Sequence, residues 1–261
     1  MKKMPNTKRV DTSLFQDEHY LGKPAEAQDK IVQRRINLVS SFVNFIRNDK
    51  TLLDVGCGNG ASLFLIADKM KECLGIDIHD KYAKEFQKLK KEKELANCEF
   101  RVLNIETETL AQQYDRIISF EVIEHLSSEQ SVEFYFNTLK PGGLAAISVP
   151  NKWWIFETHG ANLPLLPWNR VPLFSWLPKC IHEKFANARI YTKRRITHLL
   201  TLHGFKILKI YYVTAPMDVL KEGKLKRILL GTVFKNDSTK IPFLATSILL
   251  LVQKPAGIKR H

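Results

Sequence analysis

The stretch LLDVGCGNG, Leu52 to Gly60, decides how this chain is read. An apolar run stops at three glycines placed at every second position, Gly56, Gly58 and Gly60, which lets the backbone turn tightly. A dinucleotide site expects the spacing GxGxxG, with pyrophosphate over the start of a helix. Here the spacing differs, and Asp54 sits just before the first glycine. An ionised aspartate there would oppose a pyrophosphate but suits a cationic ligand end.

The text on either side extends this reading. TLLDVG reads as a buried strand, ASLFLIADKM as a helix and CLGIDIHD as a second strand ending in acids. A charged helix follows over YAKEFQKLKKEKELA, then strands over CEFRVLNIE and YDRIISFEVIEHL. SSEQSVEFYFNTLKPGG reads as a helix stopped by Pro141, Gly142 and Gly143, and LAAISVP as a fifth strand. Upstream, the apolar positions of Asp29 to Ile46 recur at a helical period. Strand and helix text alternating in this way predicts right-handed βαβ units and a largely parallel sheet. TKRRITHLLTLHG then predicts a helix, and FKILKIYYV and ATSILLLVQK predict the closing strands.

The organisation expected is a flexible basic segment over 1–27, one domain over 28–254 and a basic tail over 255–261. Within the domain, 151–190 is rich in proline and tryptophan without a sustained period, which marks a lid or substrate loop. Residues 216–240 form a basic amphipathic insert.

With 261 residues, 44% of them hydrophobic, the chain can bury one substantial core. The formal net charge of +13 favours polyanionic partners in general, whether nucleic acid, anionic lipid or phosphorylated metabolites. Cys57, Cys73, Cys98 and Cys180 lack CxxC spacing and read as free thiols of a reducing compartment. The basic N-terminus is not followed by an apolar stretch of the secretory kind, and the C-terminal apolar run is too short to span a bilayer. A cytoplasmic protein, in peripheral contact with membrane or free of it, is expected.

At this point the chain resembles the class I S-adenosylmethionine-dependent methyltransferases, in particular the small-molecule, quinone-type O-methyltransferases. LLDVGCGNG resembles their first motif, in which Asp54, Gly56, Cys57, Gly58 and Gly60 surround the methionine part of the cofactor. Asp77 matches the acid that accepts both ribose hydroxyls, and Ile78 the residue beside adenine. Asn104 and Ile105, in NIE, match the adenine edge, although many relatives carry aspartate where this chain has Asn104. FEVIEHL, Phe120 to Leu126, is similar to the segment after the fourth strand, with Glu121 near the methionine end. The resemblance implies an α/β Rossmann-like fold: a seven-stranded, mostly parallel sheet with helices on both faces and a C-terminal antiparallel strand. It also implies S-adenosylmethionine as cofactor.

The sulfonium carries an activated methyl group, so the protein has to align an acceptor and exclude water. A small or lipid-like acceptor methylated at oxygen is the main reading. An RNA methyltransferase, suggested by the basic runs QRR, TKRR and KLKR, is the second, and a non-catalytic partner subunit the third. His159 is the first candidate base, His125 the second and His182 the third, with Glu157 placed to orient whichever acts. A loop histidine holding a carbonyl is an equal alternative for His159. No His, Cys or Asp cluster has metal spacing along the chain, and no metal is expected, although Glu121, Glu124 and His125 could contribute carboxylate and imidazole ligands if folded together. The apolar loop and the basic insert could rest together on an anionic membrane, or pack on each other and on the sheet.

Overall fold

The computed structural model describes residues 26–157, 159, 172–218 and 220–257, and the backbone of 161–163 and 166–168. The expected segment 1–27 falls largely outside these residues, as do 258–261 of the basic tail.

Five strands in the first half run parallel: β1 (Thr51–Val55), β2 (Glu72–Asp77), β3 (Cys98–Val102), β4 (Tyr114–Phe120) and β5 (Leu139–Pro150). A short antiparallel pair follows, β6 (Ala161–Leu163) with β7 (Leu166–Trp168). Then come β8 (Lys206–Thr214), β9 (Ser238–Thr239) and β10 (Ala245–Gln253). The main sheet has the order β3-β2-β1-β4-β5-β10-β8-β9. The C-terminal strand β10 is antiparallel to both β5 and β8, so β8 runs with the first five. This is the Rossmann-like sheet the sequence predicts, extended at one edge by the two-residue β9 on Tyr212 and Val213.

Both faces of the sheet are covered. Leu52, Cys73 and Ile118 pack under α1 (Lys30–Ser40) and α2 (Ala83–Glu92), while Leu53, Leu74 and Ile117 pack under α3 (Glu133–Thr138) and α5 (Lys193–Leu202). Successive strand residues point to opposite faces, so burial on both faces favours a mostly apolar strand, and all five residues of β1 are buried, Asp54 among them. A third, smaller core of Trp154, Ala215, Met217 and Phe234 lies beyond the ends of β5 and β8. Leu229 and Leu230 of α6 (Lys224–Gly231) close it.

Several boundaries differ from the sequence reading. The helix expected over ASLFLIADKM is two single 3-10 turns, Leu63–Leu65 and Ala67–Lys69, separated by Ile66 in a non-helical conformation. The first helix ends at Ser40, and the chain turns before β1 with Asn44 in a left-handed conformation (φ 68°). Pro141 does not end a helix: α3 stops at Thr138, and the Pro-Gly-Gly run sits inside β5 as an irregularity in its pairing with β4. The loop 151–190 also contains regular pieces, the β6–β7 pair and α4 (Lys179–Phe185).

Candidate active site

The strand order reverses between β1 and β4, and β1 lies between β2 and β4. At such a point the strand ends splay and leave a crevice at their carboxyl edge. The glycine bend occupies that place. Gly56 and Cys57 both donate their backbone N–H groups to the Ile76 carbonyl, at 2.8 and 3.0 Å, which ties the bend to β2. Gly60 needs to be glycine on two counts: its φ is +86°, and a Cβ there would lie 2.5 Å from Phe64 Cε2. Because no regular helix follows, the bend does not present the helix N-terminus that a pyrophosphate uses.

Asp54 is 2% exposed, and its Oδ2 has no hydrogen-bond partner. Burial, then the nearby Asp77, raise its carboxyl well above the usual range. An orphaned carboxyl beside a glycine cradle is a costly arrangement unless a cationic or donor ligand completes it. Asp77 accepts N–H groups from Gly58 (2.9 Å) and His79 (3.2 Å), so it holds the bend as well as facing the crevice edge. Ile78 and Val102, at the ends of adjacent strands, are 47% and 48% exposed, an apolar shelf of the kind an adenine ring covers. These residues fit S-adenosylmethionine: an acid for its ammonium, an acid for its ribose and a shelf for its base.

Asn104 is engaged locally. Its Oδ1 accepts the Glu106 N–H at 3.0 Å and its own N–H donates to Glu108, while Ile105 packs against the core. Glu106 then accepts from the Ser127 N–H (2.8 Å) and hydroxyl (2.5 Å), linking the loops after β3 and β4.

The other half of the site follows β4. Glu121 sits at φ 60°, rare for a residue with a side chain, and its Oε1 accepts from Arg35 (2.8 Å) and the Ser148 hydroxyl (2.8 Å). Glu124 is 2% exposed and neither of its carboxylate oxygens has a hydrogen-bond partner. Its carboxyl is raised well above the usual range by burial and then by Glu121. His125 has a buried Nδ1 without a partner, and burial, then His159 and Arg189, lower its pKa to about 3. His159 Nε2 lies 3.5 Å from Glu124 Oε1, and the two imidazole rings meet edge to face at 5.2 Å.

The fold therefore assembles what the spacing along the chain hid. Glu124, His125 and His159 offer a carboxylate oxygen and two ring nitrogens within 4.8 Å of one another, a set able to hold a divalent cation. The linear text offers Glu124 and His125 with Glu121 as the third candidate; the third ligand is instead His159, from the loop beyond β5, while Glu121 is held by Arg35 and Ser148.

Glu157 meets two of the candidate histidines, one through its backbone and one through its ring. It is buried, accepts the His159 backbone N–H at 3.1 Å and the Ser175 hydroxyl at 3.0 Å, and meets His182 Nε2 at 2.7 Å. Burial alone would raise it, yet the His182 hydrogen bond and nearby charges hold it below the usual range. His182, fully buried, is this carboxylate's partner rather than a group facing the crevice. Glu157 thus positions His159 through the backbone.

Sequence reasoning missed Arg35 altogether. The QRR run reads as a basic surface patch, but Arg34 and Arg35 are both buried, Arg34 donating to the carbonyls of Thr214 (2.6 Å), Ala215 (2.7 Å) and Phe234. Their place in the inward stripe of α1, beside Ile36 and Val39, was the available signal.

A switch-point crevice with an acid-preceded glycine bend and a second acid on the neighbouring strand defines a class I S-adenosylmethionine-dependent methyltransferase. The chain belongs to a methyltransferase-domain family, whose model matches residues 46–223. A ubiquinone biosynthesis O-methyltransferase of Acinetobacter baylyi is 27% identical over 223 residues, covering 80% of this chain and 90% of that protein. Among solved structures, an S-adenosylmethionine-dependent methyltransferase from Listeria monocytogenes superposes with a TM-score of 0.58 at 15% identity, covering 85% of this chain and 97% of that one. The cyclase SpnF superposes with a TM-score of 0.60 at 15% identity, covering 90% and 85%. These structural likenesses show the fold, and a cyclase among them shows that the fold alone does not set the chemistry.

Proposed function

We propose that the protein transfers the methyl group of S-adenosylmethionine to a hydroxyl oxygen of a small or lipid-like acceptor, and that Glu124, His125 and His159 activate that hydroxyl. One observation carries this reading: a buried carboxyl without a hydrogen-bond partner lies just after β4 with ring nitrogens of two histidines within 4.8 Å. Transfer to an alcohol or phenol requires loss of a proton, and an amine presented neutral does not, so such a cluster suits oxygen. The Acinetobacter relative, named as an O-methyltransferase, supports the same choice. When bound, the cofactor supplies the methyl group and its sulfonium leaving group.

Two modes of activation follow from the geometry. In the first, His159 takes the hydroxyl proton, with Glu124 at 3.5 Å stabilising the imidazolium. In the second, the three side chains hold a divalent cation. The unpartnered Nδ1 of His125 and the second oxygen of Glu124 favour this one, since a lone base at His159 engages only Glu124 Oε1 and leaves both unsatisfied. A cation there would polarise the hydroxyl and lower its pKa.

Radiolabelled methyl transfer into phenolic acceptors, before and after dialysis against a chelator, tests both modes. The metal mode predicts loss of activity on chelation and recovery with added Mn²⁺, Mg²⁺ or Zn²⁺. Unchanged activity after chelation, with about a 10²-fold fall for His159→Ala at unaltered cofactor affinity, selects the base mode. Full activity of His159→Ala, Glu124→Gln and His125→Ala alike would remove the cluster from the mechanism.

A further inference from the structure

The small third core is capped by pieces that remain apolar on their outer side. Leu229 and Leu230 of α6 pack inward on Trp154 and Phe234, yet Leu225 and Ile228 of the same helix point outward, 62% and 60% exposed. Trp176 and Phe243 lie with ring centroids 5.4 Å apart, both exposed. The Trp176 indole N–H donates to the Trp154 carbonyl at 3.3 Å, so these rings and α6 are both anchored on that core. Scattered exposed leucines are ordinary on a protein surface, but a helix apolar on two sides, on a core that exposed aromatic rings also join, is not.

Charge identifies what this surface meets. From 220 to 235 the chain carries Lys221, Lys224, Lys226, Arg227 and Lys235 against Glu222 alone, and Glu222 is already paired with Lys226 at 2.5 Å. Outward leucine and isoleucine set among lysines match the interface of an anionic bilayer, where apolar side chains enter the acyl boundary and lysines meet the headgroups. A single-stranded nucleic acid would instead ask for aromatic rings interleaved with the basic residues, and α6 has none. No described helix is long and apolar enough to cross a membrane, so the contact is a surface one.

Position links this surface to the site. The third core lies beyond the carboxyl ends of β5 and β8, on the same edge of the sheet as the glycine bend and Glu124. The segment leaving β5 carries Trp153 and Trp154 and then His159. We infer that this end of the molecule docks on an anionic lipid bilayer, with α6 in the headgroup layer, and that the acceptor reaches the Glu124–His159 cluster from that surface. Acceptor entry rests on the function proposed above; docking itself does not.

Vesicle co-sedimentation with the full chain tests it, comparing phosphatidylglycerol mixed into phosphatidylcholine with phosphatidylcholine alone. The wild type is expected to bind the anionic vesicles at least roughly tenfold more tightly, more weakly in high salt, and with a blue shift of tryptophan emission. Leu225→Glu with Ile228→Glu, and separately Lys224→Glu with Arg227→Glu, should each reduce binding roughly tenfold while leaving cofactor affinity by calorimetry unchanged. No binding to anionic vesicles, or equal binding by wild type and both variants, overturns the inference. So does a dimer in analytical ultracentrifugation that the doubly substituted Leu225 and Ile228 variant dissolves without any vesicle binding, which would give the face to a second copy of the chain. Vesicle binding by a protein with no affinity for S-adenosylmethionine would sink the enzymatic reading and leave docking intact.

Discussion

Replacing Asp54 by asparagine separates a cationic ligand from any other occupant of the crevice. In the free protein the Asp54 carboxyl is buried, its Oδ2 unpartnered and its pKa raised by burial and by Asp77. Binding of an ammonium group favours the ionised form, so the pKa falls on binding. Between the free and bound values a proton is released, and affinity rises with pH across that window. The Asp54→Asn side chain would retain the shape but lose the charge. The loss of one charge-assisted hydrogen bond, about 1.5–3 kcal/mol, weakens S-adenosylmethionine binding by roughly ten- to 150-fold. Stability of the free protein should hold or rise, because a buried ionisable group has been replaced by a neutral one. Isothermal titration in buffers of different ionisation enthalpy reads both affinity and proton release. Methylthioadenosine, which lacks the amino acid end, provides the control and should bind wild type and variant alike. Equal weakening of both ligands, or proton release unchanged in the variant, would refute the argument.

Other substitutions probe the parts around it. Gly60→Ala places a Cβ against Phe64 and Phe86 at a positive φ and should cost about 1–3 kcal/mol of stability in denaturant titration, since both the ring contacts and the backbone resist. Asp77→Ala removes the acceptor of the Gly58 and His79 N–H groups together with a ligand contact, so cofactor affinity should fall by about 1–3 kcal/mol by calorimetry. Glu157→Gln should slow methyl transfer while sparing cofactor affinity, by loosening His182 and the His159 backbone, and a normal rate would remove Glu157 as a positioning residue. Asp115 resists protonation: burial would raise it, but Lys140 and Thr51 hold it at about 2. Its folded pKa is depressed, so its contribution is present at neutral pH and is lost as pH falls from about 4 toward 2. Asp115→Asn should therefore flatten the acid limb of the stability profile by about 1 kcal/mol at low salt.

Much of the architecture was legible in the linear text, and the reason is local. A strand buried on both faces is mostly apolar, a bend in the left-handed region calls for glycine, and helix and strand periods differ. Leu52 to Gly60 therefore identified β1 and its turn, and the alternation beyond it the parallel sheet. Asp54 and Asp77 were visible as acids at strand ends because strand ends are where such text stops. The same locality misled at ASLFLIADKM, where apolar spacing matched a helix but Phe64 is drawn against the Gly60 backbone and the Phe86 ring, leaving 3-10 turns. It misled again at QRR, since two arginines look like surface until carbonyls at the end of β8 are found to receive one of them.

The sequence by itself determined a sheet, a glycine bend and two acids, because each leaves a local mark in the text: near-continuous apolar runs, glycines where φ is positive and an acid where a strand stops. Tertiary structure alone decided the rest. It set Glu124 beside His159, gave Glu157 to His182 and drew Arg35 onto Glu121, since each of those pairs joins residues from different elements that only the packing of the loop beyond β5, and of α1, brings within a few ångströms.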